Sequence, residues 1–204
     1  LTEATSIALA QNIQQQAIVT PLSPEAIATT YVRQGSGDPI LLIHGFDSSL
    51  LEFRRLLPLL AEKHQTWAVD LFGFGFTERV AGVKVSPDTI KTHLYYFWKT
   101  LIQKPVVLVG ASMGGAAAID FTLTYPDAVQ KLVLIDSAGM SGGSAMSKYM
   151  FPPLDTLATA FLRNPRIRNS ISRAAYKNKT LASIDAQLCA ALHLESPQWS
   201  QALI

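Results

Sequence analysis

The residues best equipped for chemistry are Gly110-Ala111-Ser112-Met113-Gly114, a Gly-x-Ser-x-Gly run. A serine hydroxyl is a weak nucleophile until a base reaches it and its own strand stops burying it. Four aliphatic residues, Val106 to Val109, precede the run, and a segment of small residues follows it to about Thr124. Strand, tight turn and helix in that order would lift Ser112 out at the strand end, and the flanking glycines leave room for so sharp a turn. The start of the helix adds partial positive charge and a free Met113 N–H, a donor for an oxyanion forming on a substrate carbonyl. The spacing therefore predicts Ser112 as nucleophile and the Met113 N–H as one oxyanion donor. The competing reading, a chance Gly-x-Ser-x-Gly in a loop, lacks a reason for the strand before and the helix after.

A second group, His44-Gly45-Phe46, ends the aliphatic run Ile40 to Ile43. A loop there offers the Phe46 N–H as a second oxyanion donor. His44 precedes that donor and is expected to pin the loop rather than act as a base. The third group is Asp70-Leu71-Phe72-Gly73-Phe74-Gly75-Phe76-Thr77. Its glycines do not have the offsets of a dinucleotide-binding turn, and no Gly-Lys-Ser/Thr phosphate loop occurs. Asp70 is expected to fix this loop, and its aromatics, with Phe46, to wall an apolar pocket. Asp136, ending the run Leu132 to Ile135, is a fallback acid for a catalytic triad; the plainer alternative is a loop-fixing carboxylate.

These groups need a scaffold, and the chain alternates short apolar runs with amphipathic segments, the signature of a mostly parallel α/β sheet. Strands are expected at 17–19, 27–33, 40–43, 66–69, 106–109 and 132–135. A helix is predicted from Ser48 or Ser49 to about Lys63, with Pro58 a point of kinking. Another starts at Pro87 with Ser86 as its cap. A third, of small residues, runs from about Gly114 to Thr124. Residues 1–16 read as a short helix or a loose arm. After Gly139 no strand-like run remains. Gly142-Gly143 reads as loop, and the rest is helical in pattern with breaks at Pro152-Pro153, Pro165 and Pro197. The expected organisation is a core over 1–139 and a helical layer over 140–204.

Composition narrows the function classes. The 204 residues are 49% hydrophobic and 16% charged, with a net charge of +2. That suits a globular domain with a substantial core and not a disordered chain. The basic residues between Arg163 and Lys179 are mixed with Asn and Ser and read as a solvated helical face, not a nucleic-acid surface. No apolar run is long enough for a membrane span. The lone Cys189 excludes an intrachain disulfide and a thiolate metal cluster, reads as a buried thiol, and suits a reducing, cytoplasmic compartment. The chain begins at Leu1 and not Met, so a lost targeting segment stays compatible with it. No metal or cofactor is expected, the partner is a small-molecule substrate, and nothing in the sequence sets an oligomeric state.

Taken together, 40–46, 67–77, 106–115 and 132–139 resemble the α/β-hydrolase superfamily in order along the chain, over most of 27–139. The loop from Asp70 to Thr77 is similar to the branch holding epoxide hydrolases, haloalkane dehalogenases and carbon–carbon bond hydrolases. The resemblance implies an α/β-hydrolase fold, Ser112 at the nucleophile position, Phe46 and Met113 as oxyanion donors, and a lid or cap made by the helices after Gly139. Dehalogenases and epoxide hydrolases of that branch use an aspartate nucleophile. Serine here points to ester, thioester or carbon–carbon bond hydrolysis.

The resemblance also implies an acid and a histidine on loops after two further strands beyond the cap, in the order Ser, Asp/Glu, His. No such strands follow. His44, His64 and His93 precede Ser112, and His193 falls in the helical layer and reads as a cap residue near the pocket. The expectation is that these residues form part of a longer hydrolase, inactive alone, with a catalytically lost short chain as the rival. Three functions remain open: a carboxylesterase-like hydrolase acting by acyl transfer on a small, largely apolar substrate; an acyltransferase or cofactor-free perhydrolase; and a non-catalytic ligand-binding protein on the same fold.

Overall fold

The computed structural model describes residues 1–138, 161 and 163–203. Six strands form one sheet in the order β1-β2-β4-β3-β5-β6: β1 Gln14–Ile18, β2 Ile27–Gln34, β3 Pro39–Ile43, β4 Gln65–Val69, β5 Val106–Ala111 and β6 Val129–Ile135. β1, β2 and β4 pair antiparallel, whereas β4, β3, β5 and β6 run parallel. The helices are α1 Ala4–Gln11, α2 Leu57–Ala61, α3 Pro87–Leu101, α4 Met113–Thr124, α5 Pro165–Ala175 and α6 Ile184–Cys189, joined by short 3-10 turns.

Alternation along the strands explains the two cores. Leu41 and Ile43 join Trp67, Val69 and Leu108 in the layer under α3 and α4. Ile40 and Leu42 join Val32, Ala68 and Val109 in the opposite layer with Leu9, Leu51 and Leu57. A strand buried on both faces has no polar positions to spare, hence the unbroken aliphatic runs of β3 and β5. β6 behaves differently: it forms one edge of the sheet, and Val133 and Ile135 are exposed.

Sequence expectations for the sheet hold, with β6 starting three residues earlier and β1 shifted toward Gln14. The capping box at Ser86 and Thr89 opens α3 at Pro87. The single helix expected from Ser48/Ser49 to Lys63 is not formed. It splits into a 3-10 turn at Leu50–Phe53, capped by Ser49, and the short α2. Pro58 lacks an N–H, so it fits the first turn of a new helix and not the interior of a long one. α1 is no loose arm. Ser6 Oγ and the Thr2 and Glu3 N–H groups donate to Asp185 at the start of α6. Burial pushes the Asp185 carboxyl up, but those donors outweigh it and hold it well below the usual carboxylate range. Cys189 is buried, as expected, and burial raises its thiol. Among the described residues after 138 there is no strand. The expected loop at Gly142-Gly143 and break at Pro152-Pro153 lie outside the described residues.

Candidate active site

From β3 the chain turns to β4 on one side, and from β5 to β6 on the other. Connections leaving two adjacent parallel strands in opposite directions open a crevice at their C-terminal ends. The loops that meet there are His44-Gly45-Phe46 after β3 and Ser112-Met113 after β5.

Ser112 stands between β5 and α4 with φ 51° and ψ −118°, and is exposed. A left-handed non-glycine residue costs about 1–3 kcal/mol and persists only where its surroundings over-determine it. Here they do. The Ser112 N–H donates to the Ile135 carbonyl at 3.0 Å, and the Ser112 carbonyl accepts from Ala138 N–H at 2.9 Å. Three glycines let the neighbours close in. A Cβ at Gly110 would lie 2.4 Å from the Gly114 carbonyl oxygen. One at Gly114 would lie 2.4 Å from the oxygens of Ile43 and His44, and one at Gly115 2.4 Å from Ser137 Oγ.

The β3 loop reaches the same spot. A Cβ built on Gly45 would sit 3.4 Å from Ser112 Cβ, which puts the residue before Phe46 in contact with the serine. Gly45 N–H donates to Glu52 Oε2 at 3.0 Å. Phe46 is 49% exposed and packs edge-on against Phe74. Among the described residues neither the Phe46 nor the Met113 N–H has a protein acceptor.

His44 is buried and committed to the loop. Its Nδ1 lies 2.7 Å from the Gly45 carbonyl, which can only accept, and its Nε2 receives the Leu71 N–H at 3.1 Å. Those bonds fix a neutral ring protonated on Nδ1, so the Asp70 oxygen 3.8 Å from Nε2 makes no ion pair with it. Asp70 is held between two loops, accepting from Leu50 N–H of the 3-10 turn after β3 at 2.6 Å and from Phe76 N–H of its own loop at 2.8 Å. Burial pushes its carboxyl up to about 6, outweighing the donors that favour the ion. Gly75 is required here, since a Cβ on it would lie 2.2 Å from Asp70 Cγ.

The cleft above Ser112 has a volume of about 390 Å³. Gly45, Phe46 and Ser48 line one wall, and Arg168, Ile171 and Ala175 the other. The apolar wall expected from the loop after β4 is a correction. Phe72 and Phe74 are buried at 1% and 4% exposure, and of the four phenylalanines named only Phe46 lines the cleft. Phe72 instead tilts against His93, whose Nε2 meets Thr29 Oγ1 at 2.8 Å; burial lowers that ring's pKa to about 4. Asp136 ends β6 exposed, with φ 44°.

Asp47 was not among the residues singled out from the sequence, and the structure makes it a hub. It follows Phe46, has φ 50°, and its side chain is 8% exposed. Its Oδ2 accepts from Arg168 Nη1 at 2.7 Å, and its Oδ1 from Trp199 Nε1 at 2.8 Å and His193 Nε2 at 3.0 Å. Burial would raise the carboxyl, but the bonds from His193 and Arg168 outweigh it and hold it below its ordinary value. His193 Nε2 must carry the hydrogen it gives to the carboxylate. Arg168 Nη2, 3.3 Å from the same nitrogen, thus makes a contact and not a bond. Burial lowers the His193 pKa, Asp47 pulls it back, and Arg168 and Arg79 push it down again. The only sequence signals for this hub are an acid beside the proposed donor and a histidine in a helical segment. Among the described residues no histidine lines the cleft. None of their helices is long and apolar enough to cross a membrane, and no group of their side chains could hold a metal ion.

The comparisons with known proteins agree with this architecture. The chain is 36% identical over 168 residues to the alpha/beta hydrolase domain-containing protein VTE7 of Arabidopsis thaliana, an alignment covering 81% of this chain and 51% of that protein. It is 34% identical over 110 residues to the 2-hydroxy-6-oxo-2,4-heptadienoate hydrolase of Pseudomonas putida, covering 52% of this chain and 40% of that one. The chain thus spans about half, or less, of the length of the curated relatives it matches. Among solved structures, a meta-cleavage product hydrolase from Pseudomonas fluorescens superposes with a TM-score of 0.74 at 21% identity, covering 95% of this chain and 68% of that one. A family model described as alpha/beta hydrolase fold matches residues 38–202, and the chain belongs to that family.

Proposed function

We propose that the chain carries the nucleophile and oxyanion hole of a serine hydrolase acting by acyl transfer. The observation that carries the reading is Ser112 itself, left-handed, exposed in the cleft and beside the Gly45-Phe46 loop. In this reading Ser112 Oγ attacks a substrate carbonyl from the floor of the cleft. The Phe46 and Met113 N–H groups, free of protein acceptors, receive the oxyanion, and the start of α4 adds its dipole. A histidine takes the Ser112 proton and returns it to the leaving group, after which water releases the acyl group. No histidine among the described residues lines the cleft, so this reading draws its base from outside them. Asp136 stays the fallback acid, supported by its place at the end of the strand next to the elbow.

The helices after residue 140 act as a cap in this reading, since α5 supplies the wall facing Ser112. With Phe46, Ile171 and Ala175 about it, the cleft suits a small, largely apolar ester, thioester or carbon–carbon bond substrate. Relatives named as hydrolases of 2-hydroxymuconate semialdehyde and 2-hydroxy-6-oxo-2,4-heptadienoate, and one named Lipase 1, support that range. The test is turnover of a short-chain p-nitrophenyl ester by the full-length gene product. Turnover that is lost in Ser112→Ala supports the reading, and turnover unchanged in that variant overturns it. Adding an alcohol or peroxide separates acyl transfer from hydrolysis by the product formed.

A further inference from the structure

We infer that Arg168, His193 and Trp199 are positioning residues that act through Asp47 to hold the Phe46 N–H in place, so that the oxyanion hole is complete only when the C-terminal helices are seated. The inference rests on the serine-hydrolase reading above, and extends it to residues outside the Gly110–Gly114 turn and the Phe46 peptide.

The Phe46 N–H sits in the peptide joining Gly45 to Phe46, and its direction depends on the backbone on both sides. The side before it is locally anchored. Gly45 N–H is held by Glu52, and the Gly45 carbonyl accepts from His44 Nδ1. The side after it is Asp47, with φ 50°, a left-handed region that aspartate visits more readily than most residues and that added support selects here. That support comes from 121 to 152 residues further along the chain. Arg168 makes two contacts to Asp47, Nη1 to the carboxylate and Nη2 to the main-chain carbonyl at 3.0 Å. Arg168 is in turn anchored by the Ala190 carbonyl, at 3.1 Å from Nε and 2.9 Å from Nη2. His193 and Trp199 share the other carboxylate oxygen, each from its own 3-10 turn. The guanidinium and both rings thus fix the carboxylate and the main chain of one residue. α5, which carries Arg168, also carries the Ile171, Ser172 and Ala175 wall of the cleft. Seating the wall and setting the oxyanion donor are therefore one event.

The experiment uses the full-length gene product and two conservative variants. Trp199→Phe removes one N–H and keeps the ring, and Asp47→Asn keeps size while removing the charge that gathers the three donors. Each is compared with the parent for kcat and KM on a short-chain p-nitrophenyl ester, for the rate of Ser112 labelling by a fluorophosphonate, and for affinity toward a trifluoromethyl ketone that forms a tetrahedral adduct. Circular dichroism confirms that each variant is folded. The expected result is a kcat lowered about tenfold in Trp199→Phe and about a hundredfold in Asp47→Asn, with KM within about twofold. Labelling rate and trifluoromethyl ketone affinity should fall in parallel with kcat. Folded variants with parental kcat and labelling, or with a raised KM alone, overturn the inference while the serine reading stands. A parent that no fluorophosphonate labels at Ser112 overturns the reading and the inference together.

Discussion

Among the described residues with left-handed backbone beyond the ends of parallel strands, two face the same cleft: Ser112 after β5, with φ 51°, and Asp47 in the loop after β3, with φ 50°. Both have positive φ, and they are restrained in different ways. Around Ser112 the restraint is made of backbone and absent side chains: three glycines within three residues of it, closed upon by the carbonyls of Ile43, His44 and Ile135 from the neighbouring strands. Around Asp47 it is long in sequence and made of side chains, an arginine, a histidine and a tryptophan brought in by the C-terminal helices. The proposed nucleophile is thus built into the sheet, whereas the residue beside the proposed Phe46 donor is held from another part of the chain. A turn held by main-chain hydrogen bonds to the neighbouring strand is released only with that strand. A turn restrained by three long side chains can be released.

Substitutions at the two sites should therefore fail differently. Asp47→Ala leaves a buried guanidinium and two ring donors without their acceptor, a loss of about 3–5 kcal/mol. The expected signature is local: hydrogen exchange quickens in α5 and the turns carrying His193 and Trp199, while β3 and β5 keep their protection. Equal quickening across the sheet would erase the distinction between the two sites. Gly114→Ala presses a methyl group toward two backbone oxygens 2.4 Å away, where neither can turn aside. A loss of about 1–3 kcal/mol is expected, seen as one lowered, still cooperative melting transition. Two separate transitions would contradict it.

Between pH 7 and pH 5, acid should loosen the Asp47 side. An unfolded histidine takes up its proton near 6.5, and His193, buried between Arg168 and Arg79, does so only at lower pH. In that window the unfolded state binds more protons, so the seated arrangement loses stability as pH falls below about 6.5. Asp47, held below its ordinary value, adds to the loss at lower pH still. Asp70, raised to about 6, works in the opposite sense, and His93, lowered to about 4, in the same sense, so the measurement must be local. Exchange in α5 should quicken between pH 7 and pH 5 and lose most of that dependence in His193→Gln. A dependence that survives the substitution would place its origin elsewhere. The smallest effect is expected behind the elbow, where Lys91 of α3 meets Asp120 of α4 at 3.1 Å on a partly exposed surface. Asp120→Ala should cost about 0.2–1 kcal/mol in a denaturant titration.

The contrast also explains what could be read from the residues in order. The strand–serine–helix turn was legible because its pattern lies within a few positions: an aliphatic run, two glycines about a serine, and small residues after it, although the carbonyls that close on it come from neighbouring strands. The same holds for the α3 cap at Ser86 and for the double-sided burial of β3. The helix across Pro58 was misread because leucine spacing was given more weight than a missing N–H. The aromatic loop was misread for a different reason. Phe72 and Phe74 follow a strand end, and whether such residues face a cleft or the core depends on Asp70 pulling their loop inward, a contact no spacing announces. Asp47 was missed because its partners are more than a hundred residues away and none is unusual in type. Local chemistry writes itself into spacing, whereas a hub joining two distant segments does not.

The account stands most directly on Ser112 as a presented nucleophile. The decisive measurement is mass spectrometry of the full-length gene product after exposure to a fluorophosphonate, with Ser112→Ala beside it. The account predicts one adduct per chain, located to the peptide holding Ser112, and none in the variant. An unmodified parent, or an adduct that persists in Ser112→Ala, would contradict it.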